Sequence, residues 1–319
     1  MGLNLSFNVI VLAIGKLFIL TLAGYILHRM KFISDEFVDT LSRLLVYLIF
    51  PALIMSKTIT HFSFTEYAYW WFLPLCAIVF CLAGMAIGWV LFAFLKNFGS
   101  KKEFMCACGF QNCGYLPMNL ILFSFTGIIA DRLLVHMFMF MIGFNVLMWS
   151  LVPLFLTGKM KEGFRPRVLL NPPVLVTVFS LLWVAFFGKG TVPALVMDPV
   201  RQLGLAAFPV AMLTLGAYLH KYRAYSHENG IPIMAGLAAK LVIFPAIVLL
   251  LIRWVPLGLD YRFFLFLQAV MPTAVSLVVI GSYTGADNKF LSGIIFYTHL
   301  VAIFSIPLWL ALFDLLYGG

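Results

Sequence analysis

Apolar residues in this chain run on in blocks, with polar positions gathered between the blocks rather than alternating within them. Ten blocks stand out, at about 7–28, 37–57, 66–95, 104–125, 132–156, 172–188, 194–220, 231–254, 260–283 and 288–316. Most reach the roughly 20 residues that span a bilayer. None alternates with the period of two that marks a barrel strand, so helices are the only spanning form open to them. The pattern predicts an all-α membrane protein with ten transmembrane helices. The first seven residues carry no Lys or Arg and the first block is long, so it reads as a membrane helix rather than a cleaved signal.

The blocks repeat. Phe50-Pro51-Ala52-Leu53 in the second is echoed by Phe208-Pro209-Val210-Ala211 in the seventh. Pro117 is answered by Pro272, Pro153 by Pro307, and Thr126-Gly127 with Asp131 by Thr284-Gly285 with Asp287. Residues 1–156 and 171–319 therefore read as two five-helix repeats joined by a basic linker loop, 157–170. Five is odd, so the second repeat enters from the opposite side and the repeats are inverted. Proline-interrupted helices in matching places are the sequence trace of a secondary transporter, with the substrate where the broken helices, the fourth and ninth, cross.

Composition narrows the class further. A chain that is 63% hydrophobic and 10% charged is no soluble domain, which runs near one quarter charged. The net charge of +9 comes from basic residues in alternate loops: Arg29 and Lys31; Lys96, Lys101 and Lys102; Lys159, Lys161, Arg165 and Arg167; Lys221 and Arg223; and Lys289. That asymmetry is a topology signal, expected to leave these loops in the cytoplasm and both termini outside a multi-pass cell (inner) membrane protein. No loop holds a long basic run, so no nucleic-acid partner is expected. Cys76, Cys81, Cys106, Cys108 and Cys113 fall inside predicted helices and read as small buried residues; no metal or cofactor is expected. Ser34, Asp131, Asn171 and Asp287 read as helix caps, and Asp198 with Arg201 are discounted on the same ground. No hydrolase or metalloprotease pattern occurs, and the chain is not expected to be an enzyme.

Chemistry concentrates in four blocks. Gly109, Gln111, Asn112, Gly114, Pro117 and Asn119 crowd the middle of the fourth, and Gln268, Pro272, Thr273 and Ser276 sit at the matching place in the ninth. Proline and glycine free backbone groups there, which membrane depth tolerates only against protein or a water-filled cavity. Asn145 and His299 lie eight residues before Pro153 and Pro307 and are expected to face one centre. The substrate-binding set is therefore Gln111, Asn112, Pro117, Asn119, Asn145, Gln268, Pro272, Ser276 and His299. Lys16, Arg43 and Lys240 lie within the blocks while no Asp or Glu lies near the middle of any, which suits an anion rather than a cation. A sodium-coupled anion symporter of the bile-acid type is the alternative, since amides and carbonyls also hold Na⁺.

At these residues the chain resembles the auxin efflux carrier family, prokaryotic branch. The resemblance runs over nearly the whole length, through Gly24 to Arg29, Phe32 to Glu36, Leu41 to Leu44, Phe50 to Leu53, Asn112 to Pro117, Leu203 to Gly216, Met271 to Val275 and Gly285 to Asp287. It implies a scaffold of helices 1, 2, 6 and 7, a transport domain of helices 3–5 and 8–10, and homodimers formed through the scaffold. It also implies alternating-access transport of small organic anions: carboxylates such as malate or malonate, or auxin-like indole acids. Asn112, Pro117 and Pro272 inherit the crossover role. Asn119 stands where many members carry a second proline, leaving the break point open, and the long loop of the plant carriers is absent.

Overall fold

The computed structural model describes residues 7–95, 98–158, 171–223, 230–254 and 256–317. The expected linker 157–170 lies outside them beyond Gly158, as do Lys96, Lys159, Lys161, Arg165 and Arg167. All regular structure among the described residues is helical. The chain runs α1 (Phe7–Arg29), α2 (Asp35–Leu44), α3 (Phe50–His61), α4 (Phe72–Phe92), α5 (Lys101–Gly109), α6 (Tyr115–Ser124), α7 (Gly127–Val146) and α8 (Val152–Thr157). It continues with α9 (Pro172–Phe187), α10 (Ala194–Leu205), α11 (Ala207–Tyr222), α12 (Gly230–Ala238), α13 (Phe244–Leu251), α14 (Leu259–Ala269), α15 (Ser276–Thr284) and α16 (Asn288–Tyr317).

Single π-helical turns at Leu45–Ile49, Leu147–Leu151 and Ala239–Ile243 join α2 to α3, α7 to α8 and α12 to α13. Each is followed two residues later by a proline, Pro51, Pro153 or Pro245. A proline ring collides with the carbonyl one turn back and offers it no N–H. The wider π turn absorbs that mismatch without ending the rod. Among the described residues, seven helices are then long and apolar enough to cross a membrane: 8–29, 35–61, 72–92, 127–157, 194–221, 230–254 and 288–317. Of the ten expected crossings, α9 is shorter, at 16 residues, and the fourth and ninth blocks are each cut in two. Large apolar side chains such as Ile19, Phe186 and Leu195 stay exposed on the outer faces, as a lipid-facing surface requires. The protein is a multi-pass membrane protein.

Two capping expectations change. Ser34 and Asn171 accept from the N–H of Phe37 and Val174, and Asp287 from that of Phe290, as caps. Asp131 does not cap: α7 starts earlier, at Gly127, and Asp131 instead pairs with Lys57 of α3 at 2.5 Å and His61 at 3.3 Å. Arg201 and Asp198 pair with each other at 2.6 Å inside α10. Of the five buried cysteines, Cys113 lies in an unwound stretch rather than a helix.

The longest packing seam joins α1 to α11. Glycines make it possible. A Cβ on Gly216 would lie 1.8 Å from the Thr21 carbonyl oxygen, and one on Gly24 2.1 Å from that of Leu213. Replacing Gly216 by Ala therefore forces the two rods apart, an overpacking cost of about 1–3 kcal/mol. The thermal midpoint of the purified protein should fall. Gly15→Ala on α1 meets nothing within 4 Å and should leave the midpoint unchanged or raise it, since Ala favours a helix over Gly.

Candidate functional site

Residues 110–114, between α5 and α6, and 270–275, between α14 and α15, have lost helical hydrogen bonding. They find each other instead. The N–H of Asn112 donates to the Pro272 carbonyl at 2.7 Å, and the N–H of Ala274 donates to the Phe110 carbonyl at 2.9 Å. Gln111 and Thr273 sit opposite one another as an isolated antiparallel bridge. Pro272 contributes only its carbonyl, so its missing N–H costs nothing here.

The carbonyls released at the end of α5 are answered one by one. Cys106 accepts from the N–H of Phe110 at 2.9 Å, and Ala107 from the Thr273 hydroxyl at 3.1 Å. Cys108 accepts from the Lys240 ammonium at 3.2 Å, and Cys113 from the Gln268 amide at 3.3 Å. Lys240 is 1% exposed and its ammonium also lies 5.3 Å from the Phe244 ring centre. Thr298 of α16 accepts from the N–H of Thr273 at 3.3 Å while donating to Ile295. The two helix starts on the other side are treated differently. Neither Gly114 before α6 nor Val275 before α15 supplies a capping side chain, and α6 receives only a weak one from Asn112.

The expected site residues divide. Asn112 and His299 meet: the Asn112 amide nitrogen is 3.1 Å from His299 Nε2. His299 Nδ1 lies 2.8 Å from the Ile295 carbonyl. A carbonyl only accepts, so Nδ1 carries the proton and Nε2 accepts from the amide. The Asn112 oxygen accepts weakly from the N–H of Leu116, at 3.4 Å. Gln111, Gln268 and Asn119 are all fully buried. Both polar atoms of Gln111, the side-chain oxygens of Gln268 and Asn119, and the Asn145 amide nitrogen have no partner. Asn119 turns its amide back to the Tyr115 carbonyl at 2.7 Å. Ser276 is the first residue of α15 and half-buried. Pro117 does not sit at the break: it lies in the first turn of α6, where a missing N–H is harmless, and the break precedes it. No hydrogen bond joins Asn145 to His299; its neighbour Phe144 packs on Phe110 at 5.7 Å.

The chain matches a known family along most of its length. The family model described as membrane transport protein matches residues 9–165 and 156–310. The chain belongs to that family, the auxin efflux carriers. An uncharacterized transporter of Methanothermobacter thermautotrophicus is 26% identical over 91% of this chain and 94% of its own length. Another from Methanocaldococcus jannaschii is 22% identical over 91% and 94%. Protein PIN-LIKES 1 of Arabidopsis thaliana is 22% identical over 93% of this chain and 77% of its own. Members of the family are transporters, not enzymes, and this carrier is a membrane transport protein.

The expected set omitted residues that hold the carrier's paired breaks together. Thr273 was visible beside Pro272, but its task of serving the Ala107 carbonyl depends on contact across 166 positions. Thr298 carried no signal beyond its adjacency to His299. Among the described residues no group of three His, Cys, Asp or Glu side chains is placed to hold a metal. Thr273→Val keeps shape but leaves the Ala107 carbonyl unpaired in a dry interior, a loss of about 1–3 kcal/mol. A clear drop in thermal midpoint relative to Thr284→Val, whose hydroxyl only bonds back along its own helix, checks this.

Proposed function

We propose that this chain carries small organic anions across the cell membrane by alternating access, with the substrate held at the paired breaks. The observation that carries the reading is the unmet hydrogen-bonding capacity of Gln111, Gln268, Asn119 and Asn145 beside two helix starts, one with no side-chain cap and one with only a weak contact from Asn112. A buried polar atom without a partner costs about 1–3 kcal/mol, and a site that binds a polar ligand is a reason to retain several. The positive ends of half-helices, with amide donors, match a carboxylate.

The architecture of this reading is ten crossings: α1, α2–α3, α4, α5–α6, α7–α8, then α9, α10–α11, α12–α13, α14–α15 and α16. Five per half gives two inverted repeats, 1–156 and 171–319, with 157–170 between them and both termini outside the cytoplasm. The packing of α1 on α11 and of α3 on α9 and α10 supports a scaffold of the first, second, sixth and seventh crossings. The packing of α4 on α5 and α7, and of α16 on α5 and α12, supports a transport domain of the others. Homodimers would form through the scaffold. The Gln111 and Asn112 amides bind the carboxylate; Asn119, Gln268, Ser276, Asn145 and His299 complete the cavity, and Pro117 and Pro272 fix the breaks. Malate, malonate and indole acids are the substrates to try first.

A thermal-shift panel of mono- and dicarboxylates should give at least one stabilising acid, and stabilisation grows with ligand excess. In proteoliposomes that acid should be transported, and Asn112→Ala should cut the rate at least about tenfold while the protein still inserts. Unchanged kinetics in Asn112→Ala would remove the site from the breaks. A strict need for a sodium gradient would favour the bile-acid-type symporter instead.

A further inference from the structure

A second feature lies at the far end of α6 from the break. A cavity of about 240 Å³ is lined by Leu53 and Lys57 of α3, Leu122 and Phe123 of α6, Leu205 of α10 and Phe208 of α11. Lys57 is the one charged residue in an otherwise apolar lining. Phe123 and Phe208, both in its lining, meet edge to face with ring centres 4.6 Å apart. On another side of Phe123, the Lys16 ammonium of α1 lies 5.4 Å from the ring centre. Gly204 lets α10 approach so closely that a Cβ there would meet Leu53 Cα at 2.8 Å, which closes the cavity on that side.

We infer that this cavity is an anion site separate from the paired breaks, taking a monocarboxylate borne on an apolar or aromatic body. The charge pattern selects the ligand. Lys57 brings the one charged side chain to an otherwise greasy lining, and a second ammonium, that of Lys16, stands over the ring of Phe123. A carboxylate finds a partner there and its hydrocarbon body finds Leu and Phe. A second carboxylate on the same ligand would be pressed against apolar side chains and leave unpaired charge, which is costly. The protein already shows that Lys57 accepts such a group at this depth. Asp131 of α7 holds it at 2.5 Å, with the two side chains 21% and 16% exposed. An ammonium has three donors, so a ligand carboxylate shares Lys57 with Asp131 and competes with it. Because α3 and α6, which both line it, belong to different bodies in the proposed mechanism, this site lies at their seam. At 1.5 Å per residue, it is about 13 Å along α6 from the break. The site itself does not depend on whether the breaks bind an anion.

Isothermal titration of the full-length purified protein tests it, with 3-phenylpropionate as probe. Its neutral amide and malonate serve as comparators. We expect saturable binding of 3-phenylpropionate and binding at least about tenfold weaker for the amide. Lys57→Met with Asp131→Asn, a pair that leaves no orphaned acid, should weaken the probe about tenfold, and Leu122→Trp should block it by filling the cavity. Asp131→Asn alone should tighten the probe about threefold, because the competing carboxylate is gone; a purely structural pair would give no gain. Asn112→Ala should leave the probe affinity unchanged. Absence of saturable binding to the wild-type protein, or affinity held within twofold in a folded Leu122→Trp or double variant, overturns the site. Loss in Asn112→Ala without loss in the Lys57 double variant moves the ligand to the breaks and also overturns it. Malonate binding that needs Asn112 but not Lys57 bears on the breaks alone, so the two readings fail separately.

Discussion

Two unwound stretches, neither tolerable alone, pair their backbones at the centre of this carrier, and the rest of the molecule is arranged around that exchange. In hydrocarbon an unmet backbone N–H or carbonyl costs several kcal/mol. The break after α5 exposes the Phe110 carbonyl and the Asn112 N–H; the break after α14 exposes the Pro272 carbonyl and the Ala274 N–H. Each pair satisfies the other at 2.7 and 2.9 Å. Thr273, Gln268 and Lys240 then reach back to the remaining carbonyls. Stability and site are thus the same contact. The groups that could bind a ligand, Gln111 and Asn112, are fixed in place only because residues about 160 positions away complete their backbone.

Proline alone does not decide where a rod breaks. Pro51, Pro153 and Pro245 each follow a π turn, and the helix carries on through it. Pro307 sits inside α16 without interrupting it. Pro117 begins a new half-helix, whereas Pro272 lies in the unwound stretch itself. What distinguishes the true breaks is a partner for the freed groups. Around Pro117, Gly109 and Gly114 loosen the helix; around Pro272 the neighbours are Val270, Met271, Thr273, Ala274 and Val275, with no glycine at all. The second break is imposed by pairing with the first more than by local preference, a tertiary override of propensity.

This explains what could be read in advance. Block lengths and the repeated prolines predicted where helices run, and the polar crowding from Gly109 to Asn119 predicted which rods would fail. The capping roles of Ser34, Asn171 and Asp287 followed from local chemistry and stand. Asp131 looked like one more cap because its true partners, Lys57 and His61, are about 70 residues earlier. The bond between Asn112 and His299 was half visible: the repeat brought both residues forward, yet paired His299 with Asn145. Hydrogen bonds across helices are decided by rotation and depth, and a repeat offset fixes neither.

The two sides of the crossing also differ in sign. The carbonyl ends of broken helices carry partial negative charge and the N–H ends partial positive charge, about half an elementary charge each. Here the protein's own donors already occupy the carbonyl end of α5, one of them the fully buried Lys240 ammonium at the Cys108 oxygen. The start of α15 has no side-chain cap, and that of α6 has only the weak contact from Asn112 at 3.4 Å. Negative potential at the end of α5 is therefore answered internally, and positive potential at these two starts much less so. A carrier with carboxylates at the same depth would reverse that balance and draw in a cation. With amides and one buried ammonium there instead of acids, the local field has the sign that the proposed anion requires.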